Sequence, residues 1–256
     1  MKRESTGRFN TATVKGEKRR LDILLVERGL ADSREKARAM ILAGEVLTDE
    51  RVAAKPGTLV REDAPIRLLQ KPPFVSRGGR KLAHALDQFK IEVTSLVVLD
   101  VGASTGGFTD CLLKRGASRV YAVDVGYGQL DYGLRVDPRV AVMERVNARY
   151  PFSLPESVDL ATIDISFISL EKVVPNVANL VKPGGKLICL VKPQFEVGRA
   201  DVGKGGLVKD PSLHAHALGR FISWAIEKGL RMGGLVPSPI LGASGNREFF
   251  VLLIAR

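Results

Sequence analysis

Cysteine is scarce in this 256-residue chain: there are two, Cys111 and Cys189, far apart. A secreted disulfide framework needs more of them at closer spacing. No apolar run approaches the roughly 20 residues that span a bilayer. The polar opening stretch, Met1 to Asn10, leads into no apolar segment, so no secretory signal is expected and the expected compartment is the cytoplasm. Histidine is limited to His84, His214 and His216, none at metal-ligand spacing, so no metal site is expected. Acidic side chains are in deficit, 28 against 39 Lys and Arg, which leaves a net charge of +11. That balance favours a polyanionic partner, nucleic acid or an anionic membrane surface, without choosing between them.

Residues 1–18 are basic and polar, with Lys2, Arg3, Arg8, Lys15 and Lys18 against Glu4 and Glu17. They show no apolar period, and a disordered basic tail is expected. From Arg19 the pattern changes. Leu21, Leu24 and Leu25 recur at helical spacing up to Gly29. Asp32 offers an N-cap for a second helix, with Glu35 three positions on. That helix turns Ala37, Met40 and Ile41 inward, places Arg34 and Arg38 on one face and stops at Gly44. Two short strands follow, near Glu45–Thr48 and Ile66–Leu69, with Lys55-Pro56-Gly57 as a turn signal between them.

This stretch, 19–70, resembles an S4 RNA-binding domain, a small α+β unit. The residues that carry the resemblance are Arg20-Leu21-Asp22, Arg28-Gly29-Leu30, Ser33-Arg34, Gly44-Glu45-Val46, Lys55-Pro56 and Asp63. It implies an RNA-facing role for Arg20, Arg34 and Arg38. One departure is visible: Asp49-Glu50 stands where the pattern has Asn-Gly, which weakens the hairpin signal.

Residues 71–79 open with Lys71-Pro72-Pro73, a stiff linker signal. A helix is expected near Arg80, and strand and helix then alternate through 80–256. Strands are predicted at 96–101, 119–123, 140–143, 160–163 and 186–191, with a closing pair at 231–236 and 249–254. Helices are predicted at 108–114, 170–180 and 213–228. The alternation implies an α/β parallel sheet covered on both faces.

The strand Leu96–Val101 runs straight into Gly102-Ala103-Ser104-Thr105-Gly106-Gly107 and then a helix starting at Phe108. Strand, glycine loop and helix N-terminus form the place where open α/β sheets bind nucleotides. The second strand ends at Asp124, about 20 residues on, where a carboxylate can meet a ribose diol. The spacing is neither G-x-G-x-x-G nor a P-loop. A strand ending in Asp-Val-Gly with a later acid is the pattern of S-adenosylmethionine enzymes. On that reading Asp100 holds the amino-acid end of the cofactor or waters around it, and Asn147 borders the adenine.

Base methylation is disfavoured. The turn after the fourth strand reads Asp164-Ile165-Ser166-Phe167, not the Asn/Asp-Pro-Pro-aromatic turn of amine methylation. Cys111 and Cys189 both fall in expected core positions, so a nucleophilic cysteine is missing. What remains is a set of charged residues at element ends: Lys81, Asp164, Lys192 and Glu248. A free lysine is a poor base at neutral pH, and burial beside a second ammonium improves it. Lys192 is the candidate base for a ribose 2′-hydroxyl, with Lys81 as its like-charge neighbour.

Residues 20–256 are similar to the TlyA family, the haemolysin-type S4-plus-methyltransferase proteins. The motifs that carry this are Val75-Ser76-Arg77-Gly78-Gly79-Arg80-Lys81-Leu82, Asp100 to Asp110, Val123 to Leu130, Asp164 to Leu170, Val191-Lys192-Pro193-Gln194-Phe195-Glu196 and Gly245-Asn246-Arg247-Glu248. The second half also resembles FtsJ-type 2′-O-methyltransferases, whose Lys-Asp-Lys-Glu tetrad matches Lys81, Asp164, Lys192 and Glu248. The resemblance implies a Rossmann-like class I fold, S-adenosyl-L-methionine as cofactor, and ribosomal RNA or a ribosomal subunit as substrate, with no membrane and no protein partner. The cofactor residues it implies are Asp100, Gly102, Ala103, Ser104, Gly106, Gly107, Phe108, Asp124, Asn147 and Asp164, and Arg77 joins the RNA set. The expected reaction is 2′-O-methylation of cytidine. The chain stops at Arg256, soon after the last strand, which resembles the narrower, large-subunit (23S) type; 16S RNA is the second target. The alternatives are a membrane-lytic protein, which needs an amphipathic or apolar membrane segment, and a catalytically silent RNA binder. Gly198 to Lys209 reads as a mobile loop beside the active site.

Overall fold

The computed structural model describes residues 17–42, 44–53, 55–69 and 73–256. The expected basic tail, apart from 17 and 18, and the start of the linker at Lys71-Pro72 lie outside them. The chain forms two compact units that divide between Lys71 and Pro72.

The first unit runs β1 (Lys18–Arg20), α1 (Leu21–Glu27), α2 (Arg34–Leu42), β2 (Val46–Thr48), β3 (Arg51–Val52), β4 (Leu59–Arg61) and β5 (Ile66–Leu68). Leu21, Leu24 and Leu25 of α1 meet Ala37 and Ile41 of α2 in one apolar cluster, so the helical spacing in the sequence is the packing seam. The strands form two sheets: β1 pairs β4, and β2 lies between β3 and β5. Lys18 therefore belongs to a strand, opposite Arg61, and not to the tail. The N-cap of α2 is Ser33, whose Oγ accepts the Lys36 N–H at 3.1 Å, and not Asp32. The Asp49-Glu50 turn also differs from expectation. Both residues take positive φ, 48° and 59°, and join β2 to β3 as the two-residue turn that Asn-Gly otherwise makes.

The second unit carries the long sheet. Its elements are α3 (Gly78–Phe89), β6 (Val97–Val101), α4 (Gly107–Lys114), β7 (Arg119–Asp124), α5 (Tyr132–Arg135), β8 (Val140–Glu144), β9 (Val158–Ile163), α6 (Val174–Ala178), β10 (Val181–Val191), α7 (Pro193–Glu196), α8 (Pro211–Glu227), β11 (Arg231–Pro237) and β12 (Phe249–Ile254). The sheet order is β11-β12-β10-β9-β6-β7-β8. The strands from β10 to β8 are parallel, and β12 runs antiparallel between β10 and β11. Strand residues alternate between the two faces. Val98, Val120, Leu160, Ile188 and Phe250 pack with Leu82 of α3 and Leu112 of α4 on one side. Leu99, Tyr121, Ile163, Cys189 and Val251 pack with Val177 of α6 and Phe221 of α8 on the other.

Two expectations are corrected here. Residues 73–79 are not a free linker: the Val75 N–H donates to Asp110 at 2.9 Å, Lys114 Nζ donates to Pro73 O at 2.7 Å, and α3 already begins at Gly78. The helix predicted at 170–180 is broken into a 3-10 turn, Leu170–Lys172, and α6. Pro175 has no N–H and fits only a first turn, so a second helix start is needed there.

Candidate active site

β6 sits where the sheet changes direction, with β7 on one side and β9 on the other. Ligands of open α/β sheets bind in the crevice at the carboxyl ends of such strands. Two adjoining cavities open there, of about 600 and about 500 Å³. Both are lined by Gly102, Ser104, Asp164, Ser166 and Phe167.

The smaller cavity lies over the ends of β7 and β8, between Asp124 and Asn147. Asp124 is wired into the loop: its Oδ2 accepts the Ser104 N–H at 2.8 Å and its Oδ1 the Gly126 N–H at 2.6 Å. Each carboxylate oxygen keeps a lone pair for a diol. Asn147 Oδ1 accepts the Arg149 N–H at 3.1 Å, which leaves its amide N–H groups for a ligand. Gly102, at φ 83°, brings the loop so close that a Cβ there would strike the Asp164 carbonyl. The cradle fits an adenosine-like group: a carboxylate for the sugar, an amide for the base and a glycine floor.

Two of the expected cofactor residues, Asp100 and Gly106, do something else, and Gly107 has a second role. Asp100 has 0% exposure and lines neither cavity. Its carboxylate accepts the Thr109 hydroxyl at 2.7 Å and the Thr162 hydroxyl at 3.0 Å, tying α4 and β9 to β6 beneath the loop. Burial raises its pKa to about 6. Gly106, at φ 96°, is a packing glycine: a Cβ would collide with Leu130 and Leu134. Gly107 does line the larger cavity, but a Cβ there would also meet Ser76 Oγ, so it serves close packing as well. Ala103 and Phe108 line the larger cavity.

The larger cavity holds the charged groups. Lys81 from α3, Asp164 after β9, Lys192 after β10 and Glu248 before β12 all line it, together with Arg77. They come as two pairs: Lys81 Nζ to Glu248 Oε2 at 2.5 Å, and Lys192 Nζ to Asp164 Oδ1 at 2.6 Å. Lys192 Nζ also reaches Ser166 Oγ at 2.9 Å. The four side chains are mostly buried, so these pairs are shielded from solvent screening. Sequence reasoning missed Ser166 and the aromatic pair Phe167–Phe195, whose ring centroids are 5.1 Å apart. A single polar or aromatic residue in a turn has no periodic signal to betray it.

The segment 198–209 lines one side of this cavity through Val202, Gly205 and Gly206. Asn246 pins it, donating to Gly206 O at 2.8 Å and accepting the Val208 N–H at 2.9 Å. Burial pushes the Cys111 thiol up to about 12 and raises that of Cys189 as well, so neither is a nucleophile.

In the first unit, Arg20 and Arg34 converge on Asp22. Arg20 donates to both carboxylate oxygens, at 3.0 and 2.9 Å, and Arg34 Nε donates at 3.0 Å. Both guanidinium groups remain about half exposed, so this internal role leaves them an outer face. Arg38 is exposed and makes no ion pair among the described residues.

Among the described residues no helix is long and apolar enough to cross a membrane. Residues 74–254 match the FtsJ-like methyltransferase family, and residues 19–66 match the S4 domain. A Bacillus subtilis protein, YqxC, named as a candidate rRNA methyltransferase, is 50% identical over 93% of this chain and 86% of its own length. The Mycobacterium tuberculosis 16S/23S rRNA (cytidine-2′-O)-methyltransferase TlyA is 47% identical over 91% of this chain and 89% of its own. A solved structure of a candidate hemolysin from Streptococcus thermophilus superposes with a TM-score of 0.70 at 41% identity, covering 93% of this chain and 89% of that one. A Rossmann-like α/β methyltransferase fold preceded by an S4 unit, with relatives this similar along most of their length, makes the chain a member of the TlyA family of FtsJ-like methyltransferases.

Proposed function

We propose that the protein is an S-adenosylmethionine-dependent methyltransferase of the cytidine ribose 2′-hydroxyl in ribosomal RNA, acting in the cytoplasm. The observation that carries this reading is the meeting of Lys81, Asp164, Lys192 and Glu248 around a cavity that adjoins a nucleoside-shaped one. Asp124, Asn147 and the Gly102–Gly107 loop would hold the cofactor, which when bound supplies an electrophilic methyl group.

The chain's own residues do the rest. In its neutral form, its own proton having passed to solvent, Lys192 Nζ receives the 2′-proton, and Asp164 with Ser166 fixes where that nitrogen points. Glu248 holds Lys81 in the same cavity, where its ammonium steadies the developing negative charge on the sugar oxygen. Arg77 at the cavity mouth and the basic face of the first unit, with Arg20, Arg34 and Arg38, meet phosphates. The net charge of +11 supplies the long-range attraction.

Large-subunit RNA is the first target to map. Small-subunit RNA is the second, because the M. tuberculosis relative is named for both. The test is ribose-methylation mapping on 23S and 16S RNA from cells with and without the gene, paired with the purified enzyme on isolated subunits. A cytidine whose 2′-methyl disappears with the gene and returns with the enzyme is the expected result; no difference at any ribose overturns the reading.

A further inference from the structure

The segments that leave β9 and β10 run side by side away from the sheet, and three ties join them in order. Nearest the strands, Lys192 holds Asp164 and Ser166, at 2.6 and 2.9 Å. Next, Phe195 packs against Phe167, with ring planes at 51°. Farthest out, Glu196 Oε2 accepts the Ser169 hydroxyl at 2.7 Å, and Oε1 accepts the Leu170 N–H at 2.9 Å.

We propose that Glu196 is a positioning residue, a clasp that holds the 164–169 segment in register with Lys192 so that the base and the acceptor-facing edge of the cavity keep their geometry. This rests on the functional reading above. Three observations carry it. Glu196 is 3% exposed, and a carboxylate is a costly group to bury for packing alone. Its nearest cation, Arg220 Nη2, stands 3.6 Å away, so the neighbouring segment supplies its short contacts. Burial accordingly raises its pKa.

The third observation is strain. Phe167 has φ 66°, a conformation that bulky side chains avoid, and the residue is 91% exposed. Such a backbone persists only where its surroundings over-determine it. Here the surroundings are Lys192 gripping Ser166 on one side and Glu196 gripping Ser169 and Leu170 on the other. With the outer grip gone, the turn relaxes and Lys192 loses its fixed partner. Asp124, Gln129 and Asn147 of the smaller cavity come from other strands and stay in place, while its Asp164–Ile168 edge moves with the segment.

The test compares Glu196→Ala, Glu196→Gln and the milder Ser169→Ala in the full chain, with unmethylated large ribosomal subunits and S-adenosylmethionine. Glu196→Ala lowers kcat about 10- to 100-fold, the effect of a misplaced catalytic group, while the cofactor Kd rises by a smaller factor. Glu196→Gln restores most of the rate, because its carbonyl accepts from Leu170 and its amide donates to Ser169; Ser169→Ala falls between. Hydrogen exchange at 166–170 quickens in Glu196→Ala. Wild-type kcat in Glu196→Ala, an equal defect in Glu196→Gln, or a loss of cofactor affinity as large as the loss of kcat overturns the clasp. A wild-type enzyme inactive on ribosomal RNA defeats the functional reading instead, and the clasp is then decided by exchange alone: unchanged rates at 166–170 overturn it.

Discussion

Lys81 and Glu248 stand 167 positions apart in the chain, yet their charged ends lie 2.5 Å from each other beside the cavity that also holds Lys192 and Asp164. Each pair sets one lysine against one carboxylate, so the four groups offset one another and Arg77 adds to the lining the one charge unpaired among the described residues. Removing one member leaves a mostly buried partner uncompensated, which costs more than the pair contributes.

Lys192→Ala is expected to lower methyl transfer by about 10²- to 10⁴-fold, the span of a lost general base. Cofactor binding should change little, because Lys192 is absent from the nucleoside-shaped cavity. Single-turnover transfer to ribosomal subunits and titration calorimetry with S-adenosylmethionine check the two halves. A rate near wild type would remove Lys192 from the mechanism.

Gly102→Ala is expected to weaken cofactor binding about 10-fold or more. The added methyl meets the Asp164 carbonyl, and a positive φ costs a non-glycine residue roughly 1–3 kcal/mol. Calorimetry and a thermal melt check it; unaltered affinity would mean that the loop yields.

Asp22 links acid to the stability of the first unit. The Arg20 hydrogen bond, ahead of that from Arg34, holds its carboxyl at about 2, from an ordinary 3.8. A lowered native pKa stabilises the fold above the unfolded value and loses that contribution as pH falls from about 4 to about 2. Discounted for the half-exposed arginines, the contribution is about 1–2 kcal/mol. Asp22→Asn should flatten acid unfolding in this window, as followed by circular dichroism; an unchanged acid limb would contradict the assignment.

Asp100 acts in the opposite sense. Its native pKa of about 6 lies above the ordinary 3.8, so this group's contribution to stability declines as pH rises from about 4 to about 6 and is level above that. Asp100→Asn should raise the melting temperature of the second unit at pH 8 relative to its effect at pH 4. Equal shifts at both pH values would show that the carboxyl stays in one state.

Much of this was legible in the residues. Continuous apolar runs such as Leu96–Val101 mark buried parallel strands, and the Leu21–Leu25 spacing marks an inward helix face. The charged residues of the larger cavity stood out because they fall near the ends of elements, Lys81 in the first turn of a helix and the others beside strands. Asp100 did not read correctly: a carboxylate at the end of a strand looks ligand-facing, and only the Thr109 and Thr162 hydroxyls reveal that it points inward. The break before α6 was missed because the apolar spacing continues through Pro175, while backbone donors do not. The Arg34 partner was hidden because Asp22 reaches it only where two helices meet, whereas Arg20 has the same acid two residues on in its own sequence. The Ser169–Glu196 contact was invisible for the same reason.

The place of β12 in the sheet has a consequence for how the enzyme fails. This strand is inserted between β10 and β11, and Glu248 immediately precedes it. Peeling it away takes Glu248 from Lys81 and strips β11 of its sheet neighbour, yet it leaves the β6–β8 side of the nucleoside cradle intact. Heat or denaturant acting at this edge should therefore silence catalysis while the protein still retains its cofactor, so that turnover, and not ligand affinity, is the sensitive gauge of early unfolding.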